Sequence, residues 1–325
     1  MRKIALLTIV VILAALLAGC TLGEEVDKTP PVISGVGASD ITTSTATITW
    51  TTDEWATSEV EYGLTTSYGS TASPALPALV TSHSVTLSDL SAGTTYHFRV
   101  KSKDASENEA MSGDFTFTTE SLPIAYIYYT DATGANSYKS LLEDNGYSVT
   151  LVPMIAVATT DFSVYDLIIV GPDTGSGYHW GDAASVSAIQ DSGKPIIGLH
   201  EGGASLFQEL GLSINWGHSG YYGPGETSLY VVDPSHVIFN SPHSISVPGD
   251  QIIQLYSSPS PLIHEYAPHL SAEAILLGRH PSPTQMDYYP LVQEGQNILW
   301  GFAASPESMT QVGKDLFLNV VDFLI

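Results

Sequence analysis

The chain has 325 residues, 43% of them hydrophobic and 14% charged, with 34 acidic residues against 10 basic ones and a formal net charge of −24. So weak a positive complement excludes a protein that works by neutralising phosphate backbones, so nucleic acid is not an expected partner; acidity of this kind serves solubility. The only cysteine, Cys20, excludes a disulfide framework, so folding must rest on buried apolar cores, and the length accommodates two domains.

The chain opens with basic Met1-Arg2-Lys3, then the apolar run IALLTIVVILAALLAG, then Cys20. That run is nearly long enough to cross a bilayer as a bare helix, which is the simpler alternative. Leu17-Ala18-Gly19-Cys20 resembles the lipobox of bacterial-type lipoproteins. The resemblance implies that residues 1–20 carry a lipoprotein signal peptide, cut before Cys20, which then receives lipid. The expected product is extracytoplasmic, held at a membrane surface without spanning it, with residues 21–29 as a polar tether.

Residues 30–120 read as β structure, with alternating runs such as Ala46-Thr47-Ile48-Thr49-Trp50 and Tyr96-His97-Phe98-Arg99-Val100 split by turn residues. The segments PPVISGV, ATITWTTDEWATSEVEYG and HSVTLSDLSAGTTYHFRVKSKDASEN resemble a fibronectin type III domain, which implies a two-sheet sandwich with Trp50 in its core. Such a module is a rigid stalk or a binding surface. Trp55 and Tyr68 are candidates for a contact patch, or for caps on the ends of the sandwich.

The pattern changes at Pro123. Ile124–Tyr129 reads as a strand, Ser137–Asn145 as a helix stopped by Gly146, Ser148–Val152 and Asp166–Gly171 as strands, and Asp182–Asp191 as a helix. Pro195–Leu199 is a further strand, and Ala204–Leu210 a helix. Short strands are expected near Ser228–Val232, Ile252–Tyr256, Ala274–Gly278, Tyr289–Val292 and Asn297–Phe302. A final helix opens at Ser305-Pro306-Glu307, and Met309, Val312, Leu316, Phe317, Val320 and Leu324 form its apolar face. Strands alternating with helices predict a parallel sheet covered on both faces.

Residues 121–325 resemble the class I glutamine amidotransferase-like fold, which is α/β and flavodoxin-like. The resemblance is carried by IAYIYY, YDLIIVGP, KPIIGLHEGGASLFQELG and NILWGFAASPESMTQVGKDLFLNVVDFL. Working members place a cysteine on a strand–turn–helix elbow, Gly-x-Cys-x-Gly, and a histidine after a late strand. Here Gly198 and Gly202 match, His200 takes the nucleophile's place, and Gly301-Phe302-Ala303-Ala304 offers no histidine. The resemblance therefore implies a domain without the catalytic Cys and His, and without glutaminase chemistry. Gly198-Leu199-His200 is also similar to the ThuA-like (trehalose-utilisation) branch, whose members are associated with sugar metabolism.

Ligands of such folds gather at the carboxyl ends of the strands, so the expected ligand-binding residues are His179, Trp180, His200, Glu201, Trp216, His218, Tyr221 and Tyr222. Eight of the ten histidines follow residue 121, yet none has HExxH or HxH spacing, so no metal is expected. Asp131–Asn136 resembles the phosphate loop of flavodoxins but has the composition of any βα turn, and no cofactor is expected. The loop Trp216–Gly225 sets aromatics among glycines, as a platform for a sugar or peptide or as an ordinary rigid loop. The sequence favours a binding or scaffolding protein, with carbohydrate or peptide as ligand and His200 a remnant. The alternatives are a carbohydrate-directed hydrolase or oxidoreductase using His200 and Glu201, or a second domain that serves assembly alone.

Overall fold

The computed structural model describes residues 27–76, 78–216 and 223–325. The chain divides into two compact units, one of residues up to 41 with 45–88 and 95–117, the other of 42–44, 89–94 and 118–325.

The first unit is a β-sandwich built from β1 (Ile33–Ser39), β2 (Ala46–Ala56), β3 (Glu59–Gly63), β4 (Ser70–Ala72), β5 (Val80–Leu87), β6 (Thr95–Lys103), β7 (Glu109–Met111) and β8 (Phe115–Thr118). One sheet runs β1-β2-β5 and the other β4-β3-β6-β7, with β8 paired to β6. Strict alternation on β2 and β6 buries Ala46, Ile48, Trp50, Tyr96, Phe98 and Val100 between the sheets. Trp50 donates its indole N–H to Ser102 Oγ at 2.9 Å and stacks on His83 with ring centroids 4.7 Å apart. His83 is fixed in turn by the hydroxyls of Thr52 and Ser58, each at 2.8 Å. On the outward face of β6, Arg99 meets Glu61 at 2.6 Å and Lys101 meets Glu59 at 2.9 Å, in cross-strand register. Trp55 is 65% exposed, whereas the ring of Tyr68 lies 4.8 Å from the Arg99 guanidinium.

The second unit is built on nine strands: β9 (Leu122–Tyr128), β10 (Tyr147–Pro153), β11 (Leu167–Val170), β12 (Ile196–Leu199), β13 (Ser228–Val231), β14 (Ile252–Gln254), β15 (Ala274–Arg279), β16 (Leu291–Glu294) and β17 (Asn297–Trp300). Their order is β10-β9-β11-β12-β17-β16-β15-β13-β14. The first five are parallel in the flavodoxin-like order 2-1-3-4-5, as the alternating pattern led one to expect. The other four are antiparallel, so the sheet is mixed. β16 and β17 are joined only by Gly295-Gln296, with Gly295 at φ +59°, which leaves no room for a crossover helix between them.

Helices α1 (Ala132–Glu143), α2 (Ala183–Ser192), α3 (His200–Glu209) and α4 (Gln311–Leu324) cover the two faces. α1 starts five residues before the expected Ser137 because Asp131 caps it, accepting the Gly134 N–H at 2.9 Å. α4 starts at Gln311 rather than Pro306. Met309 is extended and bridges Tyr256, and Thr310 Oγ1 then caps by accepting from Gly313 N at 3.1 Å. One core joins Tyr126, Tyr138, Leu142, Trp300 and Phe317 on the side of α1 and α4. The other joins Ile127, Ile189, Ala204, Phe207 and Leu299 on the side of α2 and α3. No helix among the described residues is long and apolar enough to cross a membrane. Cys20 and its signal run lie outside the described residues.

Candidate functional site at the carboxyl edge of the parallel strands

β12 passes into α3 without a loop, and the joint is tight because glycines line it. A Cβ on Gly203 would lie 2.2 Å from Gly198 Cα, and one on Gly202 would lie 2.1 Å from the Gly171 carbonyl oxygen. The strand and the helix can therefore meet main chain to main chain. His200 turns the corner at φ +46°, a conformation that β-carbon-bearing residues avoid and that lifts the side chain above the sheet. The imidazole is 6% exposed, and burial lowers its pKa to about 4, an effect that neighbouring Glu201 opposes. It is neutral at pH 7.

Glu201 turns toward a short hairpin whose strands are Gly175–Ser176 and His179–Trp180. Its Oε1 accepts the Gly177 N–H at 3.1 Å, while Ser205 Oγ donates to the Gly177 carbonyl at 2.8 Å. The Trp216 indole lies against the same glycine, 3.6 Å from where a Cβ would stand, and Gly177 has φ +59°. His200, Glu201 and Trp216 are thus gathered around one helix start and one hairpin. Two expected residues are placed differently. Trp180 is 1% exposed, buried in the core with its N–H donated to Thr174 at 2.9 Å. The His179 side chain is 93% exposed, 4.0 Å from Glu209. His218, Tyr221 and Tyr222 lie outside the described residues.

Sequence reasoning missed a second histidine–glutamate pair. Ile263 N donates to Gly301 O at 2.8 Å, and Gly301 follows Trp300, the register partner of Leu199. His264 and Glu265 come next, both fully buried. His264 packs its ring 4.8 Å from Tyr288 and 5.6 Å from His280, and burial lowers its pKa to about 4. His280 Nδ1 accepts the Ser282 N–H at 3.0 Å, which leaves the ring proton on Nε2, facing Glu226 at 3.3 Å. The signal was present: Leu262-Ile263-His264-Glu265 repeats the apolar-then-His-Glu order of the elbow.

The turn that resembles a flavodoxin phosphate loop is filled from within. The Asp173 carboxylate accepts the main-chain N–H groups of Tyr129, Thr130 and Asp131, the last two at 2.6 Å. Among the described residues, one trio brings possible metal-ligand atoms within 4.8 Å of one another: Asp27, Glu54 and Asp104 in the first unit. Asp104 is already bound by the N–H groups of Ser106 and Asn108 and by the Asn108 side chain.

A family model for the N-terminal domain of purple acid phosphatase matches residues 36–119, the fibronectin-like sandwich and nothing after it. Among solved structures, a Thermoplasma acidophilum protein assigned as one subunit of GMP synthase is 17% identical, with a TM-score of 0.45, covering 63% of this chain and 94% of its own. PurLQS from Thermotoga maritima is 14% identical, with a TM-score of 0.41, covering 63% of this chain and 100% of its own. A fibronectin type III domain from the human KIAA0970 protein is 26% identical, with a TM-score of 0.24, covering 31% of this chain and 85% of its own. No curated protein matches.

Proposed function

We propose that the protein is a lipid-anchored, extracytoplasmic binding protein whose second unit holds an uncharged carbohydrate at the carboxyl edge of its parallel strands. The observation that carries this reading is the elbow itself. It keeps the φ +46° corner but presents a buried, neutral imidazole instead of a nucleophile. An imidazole whose pKa is near 4 is a poor proton acceptor at neutral pH. The carboxylate beside it is bound to Gly177, and Ala303 stands where a histidine base is expected. A neutral ring that both donates and accepts hydrogen bonds suits hydroxyl-rich ligands, and the half-buried Trp216 supplies an aromatic surface nearby. The enzyme alternative needs Glu201 turned to a substrate, and its engagement with the hairpin weighs against that.

Calorimetric titration of the full chain with neutral oligosaccharides tests the reading. Binding that weakens at least ~10-fold in His200→Ala supports it, on the scale of one lost buried hydrogen bond. No binding by the wild type, or binding indifferent to the substitution, overturns it. Anchoring through Cys20 is tested separately: Cys20→Ser is expected to lose fatty-acid labelling and leave the membrane fraction.

A further inference from the structure

The second unit has a cavity of about 440 Å³ at the edge of the sheet opposite the elbow. Leu122 and Tyr147 line it, register partners at the starts of the parallel strands β9 and β10, whereas His200 follows the end of β12. Leu318 and Asp322, one turn apart on α4, line it as well, and so does Asn145, two residues past the end of α1. Two helices therefore bring their carboxyl-terminal ends to one cavity, and the negative end of a helix dipole favours a cation.

The protein supplies no such cation. Neither helix has a basic residue in its last turn; α4 carries Asp322 there, and α1 is capped by Asp144. Among the described residues no lysine or arginine lines the cavity, and His243 is the one lining side chain that can become positive. The Tyr147 hydroxyl donates to Asp322 Oδ1, which commits its only proton and leaves the phenol oxygen as an acceptor. Burial first, and that hydrogen bond second, raise the pKa of Tyr147 and keep it protonated. Burial also raises the pKa of Asp322, opposed by the Tyr147 bond and by nearby His243. The wall that carries His243 is anchored by wholly buried Asn319, which accepts the His243 N–H at 2.9 Å and donates to its carbonyl at 2.7 Å. Asp322 and His243 are too few to cage a metal ion, whereas Leu122 and Leu318 suit an alkyl chain.

We propose that this cavity binds a small aliphatic ammonium ion. The ammonium group donates to the Asp322 carboxylate and to the Tyr147 oxygen, and the alkyl chain lies against Leu122 and Leu318. The site is separate from the elbow and stands independently of the carbohydrate reading.

The test is calorimetric titration of the full chain with n-butylammonium chloride, with neutral 1-butanol as the control. The wild type is expected to bind the ammonium saturably and the alcohol at least ~10-fold more weakly, on the scale of one hydrogen bond to a charged group. Asp322→Asn keeps the side chain's shape and an acceptor for Tyr147, and it removes an acid from a helix end. It is expected to melt at or above the wild-type temperature while binding the ammonium at least ~10-fold more weakly. Glu273→Gln, which alters an exposed acid away from the cavity, should bind as the wild type does. The inference is overturned by no saturable binding, by equal binding of the alcohol, or by normal binding in Asp322→Asn. An equal loss in Glu273→Gln also overturns it, since the attraction would then belong to the acidic chain as a whole. So does an Asp322→Asn variant that melts well below wild type, because the carboxylate would then be structural.

Discussion

Glu201 Oε1 accepts the main-chain N–H of Gly177 at 3.1 Å, and Ser205, one helical turn later, donates to the carbonyl of the same glycine at 2.8 Å. One helix face thus holds both polar groups of a single peptide-chain residue at the tip of a hairpin. Glu201→Ala should cost about 1 kcal/mol and speed hydrogen exchange at the Gly177 amide. Glu201→Gln, whose amide oxygen still accepts, should restore most of the protection. Unchanged exchange in Glu201→Ala would show that the bond does not hold the tip.

Stability should fall with acid through two histidines. The folded pKa of His200 and that of His264 are each lowered from 6.5 to about 4, so the unfolded chain binds protons first as pH drops. The contribution is fully present above about pH 6.5 and is lost as pH falls toward 4, worth at most roughly 3 kcal/mol per group. His200→Gln is expected to flatten the wild-type loss between these pH values, measured as urea midpoints. Parallel curves would contradict the depressed pKa.

Asp173 occupies three main-chain N–H groups at the turn between β9 and α1. Asp173→Ala should destabilise the chain by about 1–3 kcal/mol and expose an anion-binding turn at a helix start. Inorganic phosphate should then raise the melting temperature of the variant and leave that of the wild type unchanged. Equal responses would show that the turn is not phosphate-shaped.

In the sandwich, Trp50 is held by both Ser102 and His83. Trp50→Phe should cost about 2 kcal/mol and Ser102→Ala about 1, and the double variant should lose less than their sum because they share one bond. Denaturant unfolding of the four proteins checks the cycle.

The elbow was legible because its glycines are steric necessities; a Cβ on Gly198 would lie 2.7 Å from Gly203 Cα and one on Gly202 2.1 Å from the Gly171 carbonyl oxygen. The parallel strands were legible as continuous apolar runs, Leu167–Val170 being buried along its whole length. What escaped was decided by tertiary context. Ala132-Thr133-Gly134 has turn composition, yet Asp131 caps it into α1. Trp180 lies in a Gly-rich stretch that reads as exposed loop, but a two-residue ladder turns it inward. Glu265 sits on a strand of two residues, too short for any periodic pattern, and its burial depends on Tyr289, 24 positions away in the sequence numbering. Charge and chemistry at single positions are visible in a sequence; the pairing of short extended pieces is not.

The contact between Gly198 and Gly203 has a mechanical consequence. Two main chains that touch leave no side chain between them to repack and no void to close, so that joint should be among the least compressible points of the molecule. Under hydrostatic pressure, amide resonances of Gly198 and Gly203 should move little while those of the hairpin around Gly177 shift. His200 is then carried by a stiff mount, and the compliance of that corner belongs to the hairpin that Glu201 engages.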